Sequence, residues 1–173
     1  MSAQQLKGLI RDVPDFPKPG IVFKDITPLL RSAAGLDEAC SLLAEPFRGS
    51  GVTIVAGIES RGFMFGAPAA LSLDAGLAPV RKLGKLPFRT HRVEYALEYG
   101  SDALEIHGDA FGPGARVLIV DDVLATGGTA AAARDLTAAL GATLVGYSFL
   151  IELAFLGGRS RLGPAPASAV VTY

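Results

Sequence analysis

VLIVDDVLATGGTA, residues 117–130, begins with four apolar residues, continues with two adjacent aspartates and ends in a run of small residues. A continuous apolar run of this kind is typical of a strand buried on both faces of a parallel sheet. The residues that follow, TAAAARDLTAALGA, predict a helix that ends at Gly141. The first turn of a helix has no internal acceptors for its amides and carries a partial positive charge. The stretch therefore predicts a buried strand, an anion-binding loop and a helix.

The small-residue loop, Ala125-Thr126-Gly127-Gly128-Thr129, has the composition of a phosphate-binding site. Glycines remove the Cβ atoms that would keep a ligand away from the backbone, and the two threonine hydroxyls add hydrogen-bond donors. The loop lacks the Gly-Lys-Ser/Thr ending of nucleoside triphosphate loops and the G-x-G-x-x-G fingerprint of dinucleotide sites. We expect it to bind a phosphomonoester, although the same residues would also serve as a simple helix cap.

Asp121 and Asp122 stand just ahead of this loop, separated from it by Val123 and Leu124, and would repel a phosphate. Vicinal hydroxyls or a metal ion are the natural partners of adjacent carboxylates. A sugar phosphate offers hydroxyls and a phosphate together, so it fits the loop and the aspartates at once. The alternative is an incidental pair of aspartates with no joint function.

Apolar runs and helical patterns alternate through the rest of the chain. Strands are predicted at VTIVAGI, LAPVRKLG and TLVGYSFLIEL, and helices at residues 3–12, at LDEACSLLAEPFRG and around Gly66. The proline-rich FPKPGIVFKDITPLL is predicted to be a stiff, irregular loop. The more polar residues 87–111 predict an extended arm or hairpin, whose weak hydrophobicity suggests mobility. This order predicts an α/β fold, a parallel sheet flanked by helices, with a site beyond the carboxyl ends of its strands.

The bulk composition excludes several classes of protein. The 173 residues, half of them hydrophobic, predict one compact domain, and a net charge of −1 offers no basic field to a nucleic acid. Cys40 is the only cysteine, which excludes an internal disulfide and favours an intracellular location. No stretch has the roughly 18 apolar residues of a membrane span, and the N-terminus lacks the apolar region of a leader. We therefore expect a cytoplasmic protein with no nucleic-acid or membrane partner.

Residues 117–130 resemble the phosphoribosyl pyrophosphate (PRPP) binding motif of the type I phosphoribosyltransferases. The resemblance implies that the loop at residues 125–129 holds the 5′-phosphate of PRPP, and that the ribose 2′- and 3′-hydroxyls meet Asp121 and Asp122. It also implies Mg²⁺ as the cofactor. The ion would bridge ribose and pyrophosphate oxygens and be held mainly through PRPP, with no direct metal ligand in the protein.

Five further segments, in chain order, resemble segments of the adenine phosphoribosyltransferase family. They are FPKPGIVFKDITPLL, AGIESRGFMFG, VRKLGKLP, YALEYGSDALEIH and IELAFLGGRSRL. The resemblance covers about residues 14–162 and implies the type I phosphoribosyltransferase fold, a parallel twisted sheet flanked by helices. The chain would form a single domain over residues 1–173, with an N-terminal hood segment at about residues 1–30 and a flexible arm at about residues 87–111.

The ESRG segment places a serine and an arginine after the strand VTIVAGI. Amides and a guanidinium at this point suit a pyrophosphate or a base nitrogen. The resemblance implies that Ser60 and Arg61 contact the pyrophosphate and that Arg61 reaches the purine. A surface salt bridge is the alternative for Arg61. The family often has Asp at the position of Glu59, followed by a cis peptide, so the geometry of this loop is an open point.

Arg81, Lys82 and Lys85 place three cations within five residues. A local positive cluster at a strand end is able to hold a departing pyrophosphate, which is the role that the resemblance implies. An ordinary solvated turn is the alternative. Leu83 stands where some relatives carry a second basic residue.

Glu98 lies in EYALEYG, which on its residues alone predicts a decorated surface strand or helix turn. The resemblance reverses that interpretation. It implies that Glu98 closes over the site on the arm and handles the purine N9/N7 proton, as the catalytic residue, and that Tyr99 covers the bound PRPP.

For the base, the resemblance implies that the backbone around Val22, Phe23 and Lys24 reads the adenine edge and that Leu153 packs on the purine ring. From the residues alone, Lys24 could simply pair with Asp25 at the surface. Leu153 could equally be an ordinary core residue.

The implied reaction belongs to purine salvage and transfers the 5-phosphoribosyl group from PRPP to adenine, giving AMP and pyrophosphate. A transferase for xanthine, hypoxanthine/guanine or orotate would keep the fold, and the polarity of the base-reading groups decides between them. A non-catalytic PRPP- or purine-sensing protein is the third possibility. The resemblance also implies a homodimer, in which the apolar LSLDAGLAP could serve the interface.

Overall fold

A computed structural model of the chain describes residues 1–96 and 101–173 and contains a seven-stranded sheet. The strands are β1 (Arg11–Pro14), β2 (Val22–Asp25), β3 (Ile54–Ile58), β4 (Gly76–Lys82), β5 (Thr90–Ala96), β6 (Ser101–His107), β7 (Arg116–Leu124), β8 (Thr143–Glu152) and β9 (Ala167–Thr172). The helices are α1 (Ala3–Lys7), α2 (Thr27–Arg31), α3 (Ala33–Ala44), α4 (Gly62–Ser72) and α5 (Gly128–Ala139), with 3₁₀ turns at Glu45–Phe47, Ala154–Leu156 and Gly158–Arg161. No helix in the two described ranges is long and apolar enough to cross a membrane.

Five neighbouring strands of this sheet, in the order β4-β3-β7-β8-β9, run parallel. Helix α4 connects β3 to β4 and helix α5 connects β7 to β8, because a parallel pair needs a crossover connection. The predicted α/β fold, a parallel sheet flanked by helices, is confirmed. Since parallel strands point the same way, the segments that follow β3, β4, β7 and β8 gather at one edge of the sheet.

The apolar run of β7 is buried on both faces of the sheet. Side chains alternate along a strand, so Val117 and Ile119 pack into a core that contains residues of α5. Leu118 and Val120 pack into a second core with residues of α3 and α4. This double burial explains why the strand is apolar at successive positions and not only at alternate ones.

The end of β7 differs from the prediction. Pairing with β8 continues to Leu124, opposite Glu152, so the strand includes Asp121 and Asp122. The two carboxylates therefore lie inside a buried strand and not after it, which changes the electrostatics of the site.

The N-terminal segment also differs from the prediction. Helix α1 ends at Lys7 instead of continuing to residue 12, and FPKPGIVFKDITPLL contains β2 and α2 where an irregular loop was expected. Strand β2 pairs with β1 in a separate two-stranded ribbon, where prolines flanking the short strand are tolerated.

Within residues 87–96 and 101–111, β5 and β6 pair antiparallel, as the predicted hairpin requires. However, β6 also pairs with β4 through Arg81 and Glu105 and through Lys82 and Leu104. Leu104 and Ile106 are almost completely buried. The low hydrophobicity of this segment therefore understated its contribution to the core, because only one face of β6 carries large apolar side chains.

Strand β9 was missed in the sequence. It pairs in parallel with β8 at the edge of the sheet, and four of its six residues are only partly buried. Its residues, ASAVVT, give a weak strand signal because alanine and serine dominate the first half.

If β6 belongs to the core, Leu104→Ala will lower the free energy of unfolding by about 2–5 kcal/mol, because a fully buried leucine leaves a cavity. Denaturant unfolding measures this difference. Leu83→Ala is the matched control, since Leu83 is 53% exposed and its loss should change stability by no more than about 0.5 kcal/mol. Equal effects of the two substitutions would contradict the placement of β6.

Candidate active site

Several of the predicted site residues lie together where four parallel strands end. Glu59, Ser60 and Arg61 follow β3, and the Glu59–Ser60 peptide is cis. Lys82 closes β4, and Leu153 follows β8 with its amide donating to the Leu124 carbonyl, 2.9 Å away. This edge is where ligands bind in open parallel sheets. The topology therefore unites segments that are more than 90 residues apart in the chain.

Residues 125–129, the predicted phosphate loop, surround a small cavity at the end of β7. The cavity has a volume of about 60 Å³ and is lined by residues 121 and 123–130. Helix α5 begins at Gly128, and no described side chain caps its first turn. Amides in this situation are able to bind a phosphate, because they need acceptors and lie at the positive end of the helix dipole.

Gly127 serves the loop in a way that the sequence did not reveal. Its φ of +82° is in the left-handed region that favours glycine. A Cβ on Gly127 would collide with the carbonyl oxygen of Gly158, and a Cβ on Gly158 would collide with that of Ala125. Because both residues are glycines, the turn at Gly158–Arg161 is able to pack directly against the back of the loop. This support is separate from the room that a missing Cβ leaves for a ligand.

An ion pair attaches this supporting turn to the sheet. Arg159 donates from Nε and Nη2 to the two oxygens of Glu152, at 2.6 and 2.7 Å, and from Nη1 to the carbonyl of Ala167. The Glu152 side chain is only 8% exposed. A bidentate arginine contact gives geometric specificity as well as attraction. The turn behind the phosphate loop is therefore held to β8 and β9 together.

Asp121 and Asp122 are buried side by side. Burial, followed by the neighbouring Asp122 charge, raises the pKa of Asp121 well above its usual range. Burial also raises the pKa of Asp122, against the opposing attraction of Arg61. Asp122 Oδ2 lies 2.7 Å from Arg61 Nε, yet it receives no hydrogen bond of acceptable geometry from any described residue. Two desolvated carboxylates with spare acceptor capacity suit a ligand that donates hydroxyl hydrogens.

Arg61 connects this carboxylate pair to the N-terminal ribbon. Its guanidinium carbon lies 4.9 Å from the ring centroid of Phe23, within the range of a cation–π interaction. The surface salt bridge considered for Arg61 is thus replaced by an ion pair with Asp122 inside the site. One side chain thus touches Asp122, one of the two predicted ribose-binding aspartates, and also the predicted base-binding segment.

The side chain of Lys24 contacts Asp12 and Tyr173 instead of Asp25. Its ammonium lies 2.7 Å from Asp12 Oδ1 and 3.7 Å from the ring centroid of Tyr173, so the alternative pairing with Asp25 is not observed. In a two-stranded ribbon, alternate residues direct their backbone polar groups away from the partner strand. Residues 22–24 therefore retain backbone groups that are able to contact a base, as the prediction for Val22, Phe23 and Lys24 requires.

The predicted basic cluster is already partly paired. Arg81 donates to both oxygens of Glu59, at 3.2 and 3.1 Å, and these hydrogen bonds lower the pKa of Glu59. Lys82 contacts the Asp102 carboxylate and the Tyr95 hydroxyl. Burial opposes the charged form of Lys82, but hydrogen bonds to Asp102 and Tyr95 outweigh it and raise its pKa. Arg81 and Lys82 are thus held in place by carboxylates before any ligand binds.

Tyr95 links this cluster to the phosphate loop. Its hydroxyl donates to Asp102 Oδ2 at 3.1 Å and accepts from the Thr129 hydroxyl at 3.4 Å. Sequence reasoning missed Tyr95 and Asp102 as neighbours of the site, because their position depends on the pairing of β5 with β6. Glu152, Gly158 and Arg159 were missed for a similar reason, although they fall in a segment that resembled the family.

Glu98 and Tyr99 lie outside the described residues, so their predicted roles remain predictions. Among the residues that are described, no group of three or more histidine, cysteine, aspartate or glutamate side chains could hold a metal ion.

Comparison with known proteins identifies the class of the fold and site. The phosphoribosyl transferase domain family matches residues 25–162, which include the phosphate loop and the carboxylate pair. A parallel sheet with this loop at the end of β7 is therefore a phosphoribosyltransferase domain.

Individual relatives narrow the class. An adenine phosphoribosyltransferase of a Cyanothece species is 58% identical over 97% of this chain and 99% of its own length. The crystal structure of adenine phosphoribosyltransferase from Rhodothermus marinus is 53% identical, covers 99% of this chain and 98% of its own, and has a TM-score of 0.95. The enzyme from Saccharomyces cerevisiae, crystallised with an imino-altritol bisphosphate and adenine, is 44% identical over 97% of each chain, with a TM-score of 0.92. This chain belongs to the adenine phosphoribosyltransferase family.

Asp121→Asn should raise the melting temperature at neutral pH by a few degrees, since about 1 kcal/mol shifts it by roughly 2–4 °C in a domain of this size. The raised pKa of Asp121 means that the folded state prefers the protonated carboxyl. Wild-type stability is therefore lost as pH rises from about 3.9, the unfolded value, through the folded pKa. Asparagine avoids this loss and its Oδ1 is still able to accept from the Asp122 amide.

Calorimetry from pH 4 to pH 8 tests this expectation, with the exposed Asp109→Asn as control. The difference between Asp121→Asn and wild type should grow with pH, whereas Asp109→Asn should show no such trend. A stability difference independent of pH would show that Asp121 is ionised without penalty.

Gly158→Ala should weaken binding of ribose 5-phosphate by about tenfold, or about 1.4 kcal/mol, because the new Cβ displaces the Ala125 carbonyl and distorts the phosphate loop. Titration calorimetry with ribose 5-phosphate measures the loss. Gly112→Ala is the control, since a Cβ at that position meets nothing. Unchanged affinity in Gly158→Ala would mean that the turn does not shape the loop.

Proposed function

We propose that this protein transfers the 5-phosphoribosyl group of PRPP to adenine, forming AMP and releasing pyrophosphate. The observation that carries the proposal is the joint placement of the phosphate loop, the carboxylate pair and Phe23, connected through Arg61. The loop suits a phosphate, the carboxylates suit ribose hydroxyls and Phe23 suits an aromatic base. Phosphate, ribose and base are also the order of the parts in the nucleotide that the reaction forms. Membership of the adenine phosphoribosyltransferase family supports the choice of base.

At the donor end, the loop at residues 125–129 would bind the 5′-phosphate, and Asp121 and Asp122 would accept hydrogen bonds from the ribose hydroxyls. The unfilled acceptor capacity of Asp122 Oδ2 supports this assignment. Binding energy at the remote phosphate orients the reacting C1 atom of the ribose, and this orientation favours the chemical step.

At the leaving-group end, Ser60, Arg61, Arg81, Lys82 and Lys85 would surround the pyrophosphate. Mg²⁺, held mainly through PRPP, would supply further positive charge to the pyrophosphate oxygens. The unfilled acceptor capacity of Asp122 Oδ2 fits this arrangement, in which PRPP would hold the ion and the carboxylates of β7 would accept from the ribose hydroxyls. Preorganised cations stabilise the charge that develops as the C1–O bond breaks.

At the acceptor end, the backbone of residues 22–24 would read the adenine edge, with Phe23, Arg61 and Leu153 around the ring. The bond from adenine N9 to ribose C1 forms as the bond from C1 to the pyrophosphate oxygen breaks. Pyrophosphate leaves with the electron pair of that bond, and the proton lost by the base passes to the carboxylate of Glu98. The arm at residues 87–111 would exclude water, which competes with adenine for the ribosyl cation.

We further propose a homodimer and a cytoplasmic location. Leu71 and Leu77, both in the apolar segment LSLDAGLAP, are 84% and 42% exposed, which supports an interface at this surface. The absence of paired cysteines supports the location. Residues 1–30 would form the hood that carries the base-reading backbone, in a single domain that spans residues 1–173.

The decisive experiment incubates the protein with PRPP and Mg²⁺ and with adenine, hypoxanthine, guanine, xanthine or orotate in separate reactions. We expect AMP from adenine and no nucleotide from the other bases, since only adenine presents a 6-amino donor to the backbone at residues 22–24. Chromatography of the products measures the outcome. Product from an oxopurine or orotate would identify a different transferase, and no product from any base would favour a sensing protein.

A further inference from the structure

Strand β6 carries a carboxylate whose position the reaction described above does not explain. Glu105 is only 4% exposed. Its Oε1 accepts hydrogen bonds from the backbone amides of Lys85 and Leu86, both at 3.0 Å. Its Oε2 accepts from the Thr90 hydroxyl at 3.3 Å. The side chain thus reaches from the hairpin across to the turn that follows β4.

A buried carboxylate without a cation is costly unless several donors satisfy it. Within the described ranges, Glu105 forms no ion pair, and the amides of the turn at residues 83–87 replace one. A leucine or methionine at this position would pack in the core without that cost. The presence of a carboxylate therefore indicates that the fixed position of the turn matters.

A second side chain holds the same residue from the other side. Arg81 Nη1 donates to the backbone carbonyl of Lys85 at 3.0 Å, while the remaining nitrogens of Arg81 contact Glu59. Both backbone polar groups of Lys85 are therefore bound by side chains from neighbouring strands. The Cα atom of Lys85, and with it the start of the lysine side chain, has little freedom to move.

The three cations of the basic cluster are not equivalent. Arg81 is paired with Glu59 and Lys82 with Asp102. Across residues 1–96 and 101–173, the Lys85 ammonium forms no ion pair, although side chains hold both polar groups of its backbone. Its positive charge is consequently available to a ligand without the rupture of an existing ion pair.

We propose that Glu105 is a positioning residue, which fixes the turn at residues 83–87 so that Lys85 meets the departing pyrophosphate. The inference rests on the proposed function, because it needs pyrophosphate as the leaving group. Glu105 touches no substrate itself and acts through the backbone of Lys85. Its loss should therefore affect the pyrophosphate half of the site and leave the nucleotide half unchanged.

The reverse reaction separates the two halves, because AMP and pyrophosphate are then independent substrates. Glu105→Met keeps the volume of the side chain but removes the acceptor, and Glu105→Gln keeps an acceptor oxygen for the two amides. We expect Glu105→Met to lower kcat/KM for pyrophosphate by about tenfold with KM for AMP changed by less than about twofold. Glu105→Gln should restore most of the loss. Glu94→Ala, an exposed carboxylate on β5, is the control and should resemble wild type.

A double-mutant cycle with Lys85→Ala tests whether Glu105 acts through Lys85. If it does, Lys85→Ala combined with Glu105→Met will be no worse than Lys85→Ala alone. Independent, multiplying losses would overturn the proposal, as would an equal loss for AMP and pyrophosphate. If Glu105→Met does not fold, the kinetics of Glu105→Gln and Lys85→Ala test the proposal instead. The proposal fails if Lys85→Ala leaves kcat/KM for pyrophosphate unchanged. Failure of the proposed function is distinct, since wild type would then make no AMP from adenine in the forward direction.

Discussion

The burial of two adjacent carboxylates at the end of β7 is the constraint on which the site depends. Asp121 and Asp122 would ordinarily be solvated, and desolvation raises the pKa of both. The fold keeps them in place because β7 pairs with β3 up to Val120 and with β8 as far as Leu124. The free-energy cost of burying these carboxylates is offset only in part by the ion pair of Arg61 with Asp122. The site is therefore arranged for a ligand that completes the hydrogen bonding of these carboxylates.

A second consequence concerns the cations around this pair. Arg61, Arg81 and Lys82 each contact a carboxylate, so the site holds positive charge without a basic surface. A partly buried cation that is already oriented needs less reorganisation when negative charge develops on a ligand. The net charge of −1 is compatible with an anionic substrate for this reason, because the attraction is local.

The sequence predicted the elements whose signals are local. The apolar run of β7, the loop at residues 125–129 and the stop at Gly141 were recognisable because strand burial, helix start and helix end each leave a signature within a few residues. Strand β9 and the ribbon β1–β2 were not, because small residues and prolines obscure their pattern. The candidate site followed the same division. Residues at strand ends were predicted for it from local sequence and do lie at strand ends, whereas Tyr95, Asp102, Glu105 and Gly158 gain their positions from pairing and packing between distant segments.

The turn at Gly158–Arg161 shows how contacts between distant segments shape the candidate site. A phosphate loop must present several amides at fixed angles, and a loop of small residues has little side-chain packing of its own to hold it. The backbone of Gly158 supplies that support from the opposite side, and the ion pair of Arg159 with Glu152 transmits the rigidity of β8 to the turn. The shape of this glycine-rich loop thus depends on a rigid element behind it. The same relation holds between Lys85 and Glu105, where a charged side chain on a glycine-containing turn takes its position from a buried strand.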